Sequence, residues 1–118
     1  MYADPQTRFW RYVNKAGALP LRNPELGECW FWTGSLRARG YGQFNQGRHD
    51  IILAHHFLVG RPPLGMSWDH LCCNPPCIRP SHLELVTAAE NNRRQHEYAQ
   101  WKRSHTHDED AGEAIATG

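Results

Sequence analysis

Apolar and polar positions alternate over short spans and rarely keep one period for long. In "TRFWRYVNKAG" the apolar residues Phe9, Trp10, Tyr12 and Val13 have helical spacing. Thr7 stands where an N-cap would, and Gly17 is a plausible stop, which predicts one short amphipathic helix. "ALPLRNPELGE" is a loop broken by Pro20 and Pro24, and "CWFWTG" is a short aromatic strand running into a turn. "GYGQFNQGRHDIILAHH" predicts a β-hairpin: "YGQF" alternates, "NQG" supplies turn residues and "DIILA" is a β-branched strand. "HHFLVG" begins a helical turn closed by Gly60, and "SWDHL" re-enters as a strand. "NPPCIRP" cannot be regular structure. From Thr87 onward the pattern is helical, and "TAAE" is a capping-box signature in which Thr87 accepts from the backbone and Glu90 reaches back.

Strand, strand, cysteine-bearing loop, helix is a ββα order, and the fold class expected is α+β. Length changes that picture little: 118 residues suit a single domain, with 40% apolar residues and frequent Pro and Gly (8 and 10). The expected organisation is one domain over residues 1–104 with its core at 28–94. An acidic, disordered tail is expected at 105–118. No apolar run approaches the length of about 20 residues that spans a bilayer, and "MYADPQTRFWRYV" has no signal-peptide core. The expected location is the cytoplasm, away from any membrane.

The net charge of +1 conceals a split. Residues 1–107 hold all 13 Lys and Arg and 8 acids, net +5, while "DEDAGEAIATG" holds four acids and no base. A basic body favours phosphate-bearing partners weakly.

Four cysteines in a reducing compartment point to metal rather than disulfides. Cys72 and Cys77, followed by His82, supply thiolate and imidazole donors at a spacing zinc accepts. A fourth ligand is needed; Cys29 is the better choice and Cys73 the alternative. Beside them stand Asp69 and His70. A histidine near its ordinary pKa of about 6.5 can take a proton from water. A carboxylate beside it and the Asn91 amide could hold Mg²⁺.

The span "DHLCCNPPCIRPSHLELVTAAENN" resembles the HNH endonucleases of the ββα-metal type found in phages and mobile elements. It is also similar to the His-Cys box homing endonucleases in its "HLC…C…P.HL" spacing. "CWFWTG", "GYGQF" and "AHH…VG" resemble the hairpin that precedes the motif in phage HNH proteins, so the likeness covers roughly residues 8–94. The resemblance implies a metal-dependent DNA endonuclease on a ββα-metal fold, stabilised by structural zinc. It places His70 as the general base that activates water, Asn91 as the catalytic-metal ligand on the helix, and Asp69 as a second ligand. It matches Cys29, Cys72, Cys77 and His82 to zinc, with His82 also the middle residue of the H-N-H signature. It implies Mg²⁺ or Mn²⁺ as the catalytic cation, a bacterial host cell as the setting, and products with 5′-phosphate and 3′-hydroxyl ends.

Three positions depart from the family pattern. "IRP" stands where phage relatives usually read Asn-Pro, Cys73 is an additional thiol, and "AHH" replaces Ala-His-Arg. Double-stranded DNA is the partner expected, with Arg37, Arg39, Arg48, Arg93 and Arg94 as phosphate contacts that position the duplex. One active site cuts one strand, so double-strand cleavage would call for a homodimer or two encounters. The competing reading is a non-catalytic zinc-stabilised DNA-binding module.

Overall fold

Asp4, rather than Thr7, caps the first helix. In the computed structural model, which describes the backbone of residues 4–117 and the side chains of residues 4–105, α1 spans Pro5–Trp10. The Asp4 carboxylate accepts from Thr7 N at 2.8 Å, and Pro5 occupies the first turn, where its missing N–H costs nothing. The helix stops well short of Gly17 because Val13–Asn14 is recruited as β1, antiparallel to β2 (Phe31–Trp32), with Val13 opposite Trp32. Gly17 serves a different purpose from the expected helix stop. Its N–H donates to Cys29 O at 3.0 Å, and a Cβ there would stand 2.5 Å from that same oxygen. Only glycine permits so close a backbone approach.

The expected hairpin is β3 (Gln43–Asn45) against β4 (Ile51–Leu53), with Phe44 opposite Ile52. It leads directly into α2 (Ala54–Val59), which Gly60 ends at φ 94°. Phe9, Trp32 and Phe44 are buried together with Ile52, Ala54 and Ile78. Phe9 stacks on Phe57 at 4.7 Å and lies edge-on to Phe44 at 5.3 Å between ring centroids. Offset and edge-on rings of this kind add to their area burial.

The second half holds a correction to the expected order. β5 (Met66–His70) pairs antiparallel with β6 (Leu83–Thr87), Asp69 opposite Glu84 and His70 opposite Leu83. The cysteine loop therefore lies between two strands rather than after both. Leu83–Thr87 reads as an approach to the helix, yet Leu83 and Val86 are buried as strand residues. α3 (Ala88–Thr117) follows at once. Thr87 Oγ1 accepts from Glu90 N at 3.1 Å, but the Glu90 carboxylate does not complete the capping box. It binds Arg93 and Arg94 instead. The fold is thus mixed helix and strand, with a ββα unit as its second half. The expectation of a disordered tail at 105–118 falls, apart from His105, outside the residues whose side chains are described. No helix among the described residues is long and apolar enough to cross a membrane.

Candidate metal centre and active site

Four donors meet beneath β2. Cys29, Cys72, Cys77 and His82 are all buried, and their ligand atoms lie within 4.8 Å of one another. The residues come from two places. Cys29 enters β2, and its N–H donates to Ala18 O at 3.1 Å. The other three lie on the β5–β6 loop, which is laced onto β2 by Trp32 N to Pro76 O at 2.9 Å and Ile78 N to Trp30 O at 2.8 Å. Cys73, the alternative ligand, stands outside the cluster.

His82 Nε2 donates to Leu26 O at 2.9 Å. That bond fixes the tautomer and leaves Nδ1 as a lone pair facing sulfur, the orienting arrangement common behind metal-bound histidines. Nδ1 stands 3.5 Å from Cys77 Sγ and 3.6 Å from Cys29 Sγ. A tetrahedral zinc with Zn–S of about 2.3 Å and Zn–N of about 2.05 Å requires a sulfur–nitrogen separation of about 3.6 Å. The residues therefore fit zinc in donor type and in spacing. The Cys72 thiol is held far above its ordinary value by its hydrogen bond to Cys77 and by burial, and burial pushes Cys29 up as well. Only Cys77 is lowered, to about 5, because Cys72 donates to it. The protein alone supports one thiolate among three buried thiols; a dication would support all three.

Asp69, His70 and Asn91 line one open cleft of about 540 Å³ with Tyr41 and Arg39. β5 presents Asp69 and His70, and the first turns of α3 present Asn91. His70 Nε2 donates to Cys77 O at 3.0 Å, which leaves Nδ1 as its acceptor. Burial lowers the His70 pKa to about 4, so the ring is neutral at pH 7. Asn91 Nδ2 donates to Ser67 Oγ at 3.3 Å. Asp69 is paired: Arg94 Nη1 reaches Asp69 Oδ2 at 2.9 Å and Glu84 Oε1 at 2.6 Å. Arg94 Nε also meets Glu90 at 2.7 Å.

The arginines expected at DNA occupy different settings. Arg39 lines the cleft at φ 72°. Arg48, at φ 50°, sits on the exposed turn of the β3–β4 hairpin. Arg37 is exposed and donates to Gln43 at 3.1 Å. Arg93 is held by Glu90 and Glu97, each at 2.7 Å. Arg94 is engaged by three carboxylates, which turns it toward the protein.

Sequence reasoning passed over His55. Its neighbour His56 drew attention as the replaced basic residue, yet His55 is the buried one, 3% exposed. Its ring centroid lies 4.9 Å from that of His70 and 4.5 Å from that of His56. Burial, with His70 and His56 adding to it, lowers its pKa to about 3. The available signal was its place directly after "IILA", at the start of a helix packed on the core.

Residues 48–93 match a family model described as HNH endonuclease. The match contains Asp69, His70, Cys72, Cys77, His82 and Asn91, and it excludes Cys29. Two proteins of Escherichia phage T7 are similar to the chain. Protein 2.8 is 34% identical over 64 residues, which is 54% of this chain and 46% of that protein. Protein 7.7 is 31% identical over 70 residues, 55% of this chain and 52% of that protein. The chain spans about half the length of these relatives. No solved structure matches it.

Proposed function

Because residues 48–93 match the family model of the HNH endonucleases, we propose that the chain is a metal-dependent DNA endonuclease that hydrolyses phosphodiester bonds. The observation that carries this reading is the meeting of Asp69, His70 and Asn91 in one cleft, with the His70 ring already oriented by Cys77 O. A neutral imidazole held by its Nε2–H has one task left for Nδ1, which is to take a proton. In the step proposed, a water oxygen forms a bond to phosphorus and its proton passes to His70 Nδ1. The P–O3′ bond breaks in line, and the 3′ oxygen is protonated from solvent.

Asp69 and Asn91 would hold Mg²⁺ or Mn²⁺, which supplies charge stabilisation at the phosphoryl group and the leaving oxygen. For Asp69 to ligate, Arg94 must share or yield the carboxylate. Cys29, Cys72, Cys77 and His82 would hold a structural zinc that takes no part in the chemistry. Arg37, Arg39 and Arg48 are the phosphate contacts favoured by their placement, with Arg93 and Arg94 more restrained by their acids. Nothing but the backbone needs reading for cleavage, since phosphate contacts position the duplex. A phage protein working on duplex DNA in its host's cytoplasm fits the relatives found. Cutting both strands would take two copies of the chain or two encounters.

Plasmid nicking tests the reading. Wild-type protein with Mg²⁺ or Mn²⁺ should relax supercoiled DNA, and His70→Ala should cut more slowly by about 10²- to 10⁴-fold. Zinc content and circular dichroism should stay unchanged. If His70→Ala cuts as fast as wild type, His70 is not the base. DNA binding without cleavage by the wild type would assign the chain to the binding-module class instead.

A further inference from the structure

Among the described residues, two buried side-chain atoms lack any hydrogen-bond partner: His55 Nδ1 and Asn91 Oδ1. Unpaired buried polar atoms are costly, and each calls for a reason. His55 and Asn91 line the same cavity of about 270 Å³, with Ser67, His56 and Tyr41. The Asn91 amide is already anchored through Nδ2 on Ser67, so Oδ1 is the end left for another partner. The other two buried histidines each donate one ring nitrogen to a backbone carbonyl. His82 has Leu26 O and His70 has Cys77 O, at 2.9 and 3.0 Å. The His55 Nδ1, in the same fold and as deeply buried, has none.

We propose that His55 is a nitrogen ligand of the divalent cation that Asn91 takes, so that the site offers a mixed nitrogen and oxygen set. The identity of that cation rests on the endonuclease reading; the ligand assignment rests on the two orphaned atoms. Imidazole suits borderline transition metals, whereas Mg²⁺ takes oxygen and keeps its water. His55 therefore tilts the site toward first-row transition metals over Mg²⁺, and Mn²⁺ is the paramagnetic member used as the probe. The zinc centre does not compete, because thiolates are poor partners for Mn²⁺.

Pulsed electron paramagnetic resonance of Mn²⁺ added to the zinc-loaded protein reads this directly, through the ¹⁴N coupling of a bound imidazole. The coupling should be present in wild type, His70→Ala and His56→Ala. It should vanish in His55→Phe, which keeps the ring's bulk without its nitrogens. Mn²⁺ affinity in His55→Phe should fall at least about 10-fold, the lower end for losing even an indirect support. Mg²⁺ affinity should fall less. Should His55→Phe fail to fold, the coupling surviving in the double variant His56→Ala/His70→Ala leaves His55 as the nitrogen source in the cavity. No coupling in wild type, or coupling that persists in folded His55→Phe, overturns the assignment. The readout needs no cleavage. Coupling in a protein that never cuts DNA would sink the endonuclease reading and leave the cation site standing, while cleavage without coupling does the reverse.

Discussion

Acid should destabilise this protein through two buried histidines. His55 and His70 sit at 3% and 8% exposure, and burial holds their pKa values at about 3 and about 4. Released by unfolding, each returns to about 6.5. Between those values the unfolded chain binds a proton that the folded chain refuses, so stability falls as pH drops through the window. About a unit above pH 6.5 neither state is protonated, and the stability is fully present. A complete difference of one proton is worth about 1.4 kcal/mol per pH unit. From pH 7.5 to 5 each histidine costs about 2 kcal/mol by this linkage, and the pair about 4 kcal/mol. Net stabilities are only about 5–15 kcal/mol. Zinc bound at the cysteine cluster would pull in the same direction, because protonated thiols release metal, so the wild-type curve alone decides nothing. His55→Phe separates the causes. Urea unfolding at pH 7.5, 6 and 5, without added divalent cation, should show its stability falling less steeply between pH 6 and 5. The slope should be shallower by about 1.2 kcal/mol per pH unit. Equal slopes in the two proteins would refute the claim that His55 is held neutral by burial.

Cys72→Ser or Cys77→Ser should lose zinc and unfold, since structural zinc contributes on the order of 10 kcal/mol, comparable with the whole net stability. Elemental analysis and circular dichroism check this, and a folded variant with full zinc would remove the residue from the ligand set. Gly17→Ala should lower the melting temperature, because its Cβ would press on Cys29 O at 2.5 Å and on the Phe31 ring at 2.6 Å. The overpacking cost is about 1–3 kcal/mol; an unchanged melting temperature would mean that the Cys29 segment yields freely.

The metal donors were legible because ligation demands particular residue types at short spacing, and Cys72, Cys77 and His82 carry that signal within one loop. Cys29 was legible only as the best remaining thiol; that Gly17 shapes its approach cannot be read from spacing. The first helix was placed in the right region with the wrong cap. Asp4 and Thr7 are both good caps, and only the pairing of Val13–Asn14 with Phe31–Trp32, a non-local event, decides how far the helix runs. β6 was hidden for a similar reason: "LELV" suits helix or strand until Met66–His70 lies beside it. His55 escaped because burial is a tertiary property, and two adjacent histidines look alike in one dimension. The pairing of Arg94 with Asp69 was hidden as well, because it joins residues on different elements that meet only when α3 packs against β5.

The carbonyl that orients His70 belongs to Cys77, one of the four residues of the candidate metal cluster. That shared residue puts the two centres in sequence in time. As a new chain emerges, Cys29 appears first and waits for a loop that has not been made. Until the loop closes around its ion, no fixed carbonyl stands opposite the His70 ring. If the cluster takes zinc as proposed, maturation has an order, with metal capture ahead of the His70 geometry, and copies made in a zinc-starved cell would lack it. Under the endonuclease reading proposed above, such a delay would also be a safeguard for the cell that makes the chain.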